Sequence, residues 1–151
     1  MYMYSLISRF VSLRKNGMYC LLTAASSAAC AGNLIVNAET MDGTSGQLVV
    51  KVFNSAETFR KSPTVQVTVP ADQQNAQGQI TAVIQGLPAG EYALVAFHDK
   101  LGDGKLARNQ MGIPTEPYAF SGQASRMGPP AFREAAFSLT TSGATINLKF
   151  K

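Results

Sequence analysis

The side chains best equipped for chemistry lie close together in the chain: His98 and Asp99 at the end of an apolar run, then Asp103, Glu116 and Tyr118. An imidazole beside a carboxylate can do general acid/base work. Carboxylates spaced by glycine can hold a hard cation. Asp99-Lys100-Leu101-Gly102-Asp103-Gly104-Lys105 resembles the D-x-N-x-D-G calcium loop, in which alternate oxygen donors and a glycine turn surround the ion. The donor set is short. Leu101 cannot ligate, Ala107 takes the next carboxylate position, and Gln110 stands where a bidentate acid belongs. A polar turn is therefore the first expectation, with Asp99 and Asp103 as weak candidates for a calcium site.

His98 is the one histidine of the chain, which rules out a multi-histidine metal centre. Successive strand residues point to opposite faces, so Asp99 is not automatically its orienting partner. Ser121 and Ser125 raise a Ser/His/Asp hydrolase, but no G-x-S-x-G elbow accompanies them. A structural histidine bonded to a loop carbonyl is the expected role. Lys100, Lys105 and Arg108 make a small cationic patch, while Gly104-Lys105 lacks the spacing of a phosphate loop. The segments 112–121 and 128–132 combine aromatics and prolines. They can form a ligand groove or a plug over an open sheet edge, and the plug is favoured.

The elements that must position these residues read as strands. Leu34 to Glu39 and Gln47 to Phe53 flank a Gly/Ser turn cluster and are expected to pair as a hairpin. Ser55 to Lys61 suits one helical turn anchored by Phe59. Thr64 to Val69 alternates, with Val65, Val67 and Val69 on one face. Ile80, Ala82 and Ile84 mark an inward face over Gln79 to Gln85. Gly86 to Gly90 is a Pro/Gly turn. The run from Glu91 to Phe97 is apolar on both faces and so should be central. Leu101 to Arg133 has no sustained period but carries enough aromatic and aliphatic residues to pack as one long ordered loop. Ala135 to Thr140 and Ala144 to Phe150 are expected as a C-terminal hairpin. The fold expected is all-β, a seven-stranded antiparallel β-sandwich.

Residues 1–31 lie outside that domain. A stretch with Arg9, Arg14 and Lys15 and no acid precedes a short apolar run ending Ala29-Cys30-Ala31, the pattern of a signal peptide cleaved after Ala31. The apolar run is about half the roughly 20 residues needed to span a bilayer. Without that leader the net charge of +4 falls to +1, with ten Lys and Arg against nine Asp and Glu in residues 32–151. Such a balance argues against nucleic acid as a partner. Both cysteines, Cys20 and Cys30, belong to the leader, so the 32–151 domain has neither a disulfide nor a thiol site. No transmembrane span is read in it.

The chain resembles a bacterial exported family, the domain of unknown function DUF 2141. The likeness rests on G-x-Y-A-x-x-x-x-H-D (Gly90 to Asp99), the glycine-rich loop after it, G-x-P-x-E-x-Y-x-F-S (Gly112 to Ser121) and P-P-x-F-x-x-A (Pro129 to Ala135). It implies a prealbumin-like or immunoglobulin-like sandwich, and a fuller cation loop than this chain retains.

The expected function is a periplasmic or secreted binding or accessory module without catalysis or cofactor, whose partner is a small ligand or another envelope protein. Its ligand-binding candidates are His98, Asp99, Asp103, Glu116 and Tyr118. The alternatives are a periplasmic enzyme using His98 with Asp99 or Glu116, and a degenerate calcium-binding module.

Overall fold

The computed structural model describes residues 31–39, 43–122 and 128–150, so most of the expected leader lies outside the described residues. The fold is all-β. Among the described residues there are eight strands: β1 Ala31–Glu39, β2 Gln47–Phe53, β3 Val65–Pro70, β4 Ile80–Pro88, β5 Gly90–Asp99, β6 Tyr118–Phe120, β7 Phe137–Leu139 and β8 Ala144–Lys149. One sheet runs β4-β1-β8. The other runs β3-β2-β5-β6, with β7 also on β5. The two sheets share a core in which Leu34, Val36, Ile80, Ile84 and Leu148 meet Leu48, Val50, Val52, Leu94 and Ala96.

Period-2 alternation accounts for most of this. Leu34, Val36 and Ala38 are buried on β1, and Ile80, Ala82 and Ile84 on β4, each between exposed or half-buried neighbours. In β3 the inward valines are only partly covered, as suits an outer strand. β5 is buried from Tyr92 through Asp99. Its even-numbered residues enter the shared core, while Ala93 and Val95 join a second cluster on the outer face with Phe53, Phe59 and Ala135. Phe59 is held there by a turn in which Lys61 and Ser62 both donate to Thr58 O, which bears out its role as an anchor.

Four expectations are corrected. The strands number eight rather than seven, because β6 lies inside the long loop. The β4-β1-β8 sheet is mixed, since β1 and β8 run parallel, while the other sheet is antiparallel throughout. Neither expected hairpin forms: β1 and β2 lie in different sheets, as do β7 and β8. The physical reason is common to both. An antiparallel pair and a crossover between stacked sheets need the same turn residues, and only the partner across the core distinguishes them. Lastly, the expected turn over Gly86 to Gly90 is mostly strand, and within it Gly86 takes a positive φ of +75°. It lies where the β1/β4 register slips between Gly32/Leu87 and Leu34/Ile84, so the glycine serves a bulge and β4 continues to Pro88.

The free edge of β5 is shared. β6 pairs with Val95 to Phe97 and β7 with Gly90 to Tyr92. Between them Ser121 accepts from Leu94 N at 2.9 Å and donates from the same hydroxyl to Ala135 O, the last residue of α1 (Phe132–Ala135). The long loop thus covers an edge, as the plug reading expects, and Ser121 is committed to the backbone. Leu94 is fully buried where the sheets meet. Leu94→Ala should therefore cost about 2–5 kcal/mol, read as a lower urea midpoint at unchanged m-value.

Candidate functional site

The expected site residues gather at one end of β5, where His98, Asp99 and Glu116 are buried and hold loops. His98 is fully buried on the core face, in register with Leu48. Its Nε2 lies 2.7 Å from Ser45 O, which makes that nitrogen the protonated one, and Nδ1 has no hydrogen-bond partner in the structure. This is the loop-carbonyl role expected of it. Its backbone N–H donates to Pro117 O.

Asp99, also fully buried, points to the other face. Oδ1 accepts from Gly102 N at 2.7 Å and Asp103 N at 3.3 Å; Oδ2 accepts from Gly104 N at 2.7 Å and Gln47 Nε2 at 2.8 Å. Four N–H donors fill the carboxylate's acceptor positions, so a cation would have to displace the loop backbone to bind it. Burial by itself raises the carboxyl pKa, but the donors from Gln47, Gly104, Gly102 and Asp103 outweigh it and hold the group below its ordinary value of 3.8. Gly46 completes this end. A Cβ there would stand 2.3 Å from Asp99 O, and its φ is +82°.

Glu116 is nearly buried at 7% exposure and clamps two loop segments, Oε1 accepting from Lys100 N and Oε2 from Ala107 N, each at 2.9 Å. Asp103 is exposed and accepts from Lys105 N within its own turn. Among the described residues no group of three or more His, Cys, Asp or Glu could hold a metal.

Tyr118 opens onto a cavity. A cleft of about 600 Å³ lies on the outer face of the β2/β5/β6 layer. Its floor follows from the register. Val95 stands between Lys51 and Phe120, Phe97 is paired with Tyr118, and Phe53 follows on β2. The walls are Arg60, Lys61 and Pro63 after β2, Lys105, Leu106, Arg108 and Gly112 to Pro114 in the long loop, and Gly128 with Pro129. Lys51 sits 5.1 Å over the Phe97 ring and donates to Gly104 O at 2.9 Å, which ties the cleft to the loop organised by Asp99. Arg108 donates to Gly112 O at 2.7 Å.

Sequence reasoning found Tyr118, Lys105 and Arg108 but missed Lys51, Arg60 and Lys61. The signal was the outward parity of Lys51 and Phe53 along β2. It became informative only once β5 and β6 were known to flank each other.

Residues 36–147 match the model of a family described as "Uncharacterized protein conserved in bacteria (DUF2141)", and the chain belongs to that family. No curated protein and no solved structure matches it.

Asp99→Asn places an amide N–H₂ among donors and should cost about 2–4 kcal/mol. Because the folded pKa is depressed, the carboxylate's contribution is complete above the ordinary pKa and is lost as pH falls through the lower folded value. The wild type should therefore lose stability in acid below about pH 4, and Asp99→Asn should show a flatter acid limb in denaturant melts taken from pH 7 to pH 2.

Proposed function

For this DUF2141 protein we propose the role of an exported, non-catalytic binding module whose ligand site is the cleft beneath Arg60 and Arg108. The observation that carries this is a separation: the acid/base side chains are consumed in holding loops, while a cleft of about 600 Å³ is walled by cations and floored by aromatic rings. A volume of about 600 Å³ lies within the range of small-molecule sites. The enzymatic alternative needs His98 to reach solvent and a carboxylate partner. Its burial, and the commitment of Asp99 and Glu116 to backbone amides, weigh against that reading.

The immunoglobulin-like or prealbumin-like topology belongs to the same proposal. It is supported by two sheets on one core and by Tyr92 at the start of β5, whose hydroxyl donates to Pro88 O at 2.9 Å. That is the bond of a tyrosine corner at a crossover between sheets. Export rests on the leader pattern in residues 1–31. No helix among the described residues is long and apolar enough to cross a membrane.

Nile red, a neutral apolar dye, probes the cleft directly. It should bind the wild type saturably at one site and be blocked by Leu106→Trp, which fills the cleft from a half-buried wall position. Equal binding by both proteins, or none to the wild type, would overturn the assignment. For export, the intact mass of protein recovered from the periplasm should begin at Gly32; an uncleaved cytosolic product would refute it.

A further inference from the structure

We propose that the cleft takes an amphipathic anion: a carboxylate or phosphate monoester head met by Arg60, Lys61, Lys105 and Arg108, with an apolar body laid on Leu106, Tyr118 and Phe120. This rests on the cleft being the binding site and adds the chemistry of what enters it. The first support is charge segregation. Residues 32–151 hold ten Lys and Arg against nine acids, yet five of those cations line this cleft, and no Asp or Glu is among its described lining residues. General basicity does not explain such a cluster in a domain of net charge +1. Like charges gathered around a concave, low-dielectric surface repel one another and focus a positive potential that an anion relieves.

The second support is that three of the five cations are set in place before any ligand arrives. Arg108 is tethered to Gly112 O, Lys51 to Gly104 O, and the Arg60 guanidinium lies 5.9 Å from the Phe59 ring. Holding them in advance lowers the ordering cost of binding. Arg60 also carries the only positive φ of a non-glycine among the described residues, +61°, a conformation disfavoured for its side chain. A strained arginine at the rim of a cavity is what a residue kept for its guanidinium looks like, because glycine or asparagine would suit the backbone better.

The third support is the apolar lining. Leu106, Ile113, Tyr118 and Phe120, each exposed or half-buried, form an apolar surface among the cations, which a fully hydrated inorganic ion would leave uncovered. A head and a body on one molecule satisfy both layers. Guanidinium forks match carboxylate and phosphate oxygens equally well, so the head chemistry is shared between the two.

The chain has no tryptophan, so Ile113→Trp places a single reporter at the rim, where Ile113 is 54% exposed. This protein would be titrated below micelle concentrations with dodecanoate, dodecyl phosphate, 2-naphthoate and dodecyltrimethylammonium. The anions should bind at least about tenfold more tightly than the ammonium of the same chain length. Raising the salt should shrink that ratio, and so should Arg60→Gln with Arg108→Gln. A dodecanoate response without a naphthoate response identifies an alkyl ligand, and the reverse an aryl one. Arg60→Gly should lower anion affinity without lowering Tm, which a purely structural arginine would not do. If the ammonium binds as well as the anions, the proposal fails while the cleft remains a binding site. If neither the amphiphiles nor Nile red bind, the site assignment itself fails.

Discussion

Strand β5 presents apolar side chains in both directions, and water has to be removed from both. Tyr92, Leu94 and Ala96 are covered by the β4-β1-β8 sheet, and Ala93 and Val95 by Phe53, Phe59 and the segment around α1. With burial of each large apolar side chain worth about 1.5–3 kcal/mol, neither face can be left open. The need for a second cover explains the long loop. It supplies β6 along one half of the edge, α1 across the outer face, and the Ser121 pin between them. The same loop also walls the cleft on this face, through Lys105, Leu106 and Arg108.

The polar end of β5 follows from the same constraint. A central strand that ends buried carries its last side chains into a region without water, so His98 and Asp99 must find partners from nearby loops. They do so on opposite faces. His98 reaches back to the turn before β2 through Ser45 O, and Asp99 gathers the turn from Gly102 to Gly104 together with Gln47. Glu116 repeats the device between Lys100 and Ala107. Residue types that announce catalysis in a sequence are here the fasteners of a sheet end. Their contribution to the cleft is indirect: they fix the loop carrying Gly104, Lys105 and Arg108.

That division shows why the candidate site was only partly legible. The His-Asp pair and the glycine loop drew notice because their side chains can react or ligate, and the shortfall at Leu101 and Ala107 correctly pointed to a turn. Nothing local distinguishes a histidine aimed into a core from one aimed into a cleft, because the alternation of a two-faced apolar strand carries no inward or outward label. Lys51, Arg60 and Lys61 looked like ordinary surface cations. They become a group with Lys105 and Arg108 only when segments about fifty residues apart are folded onto one sheet face.

Local physics was enough for the all-β class, the buried positions of β1, β4 and β5, the anchoring of Phe59 and the turn role of the aspartate loop. Each depends on side-chain periodicity, on turn chemistry or on whether an atom can donate electrons to a cation, and those are properties of neighbours in the chain. The tertiary structure alone decided which strands pair, that β1 and β8 run parallel, that both expected hairpins are crossovers, and that the cations converge over aromatic rings. Those outcomes are set by burial across the core. The free energy there depends on residues far apart in sequence, and no window along the chain contains both sides of the contact.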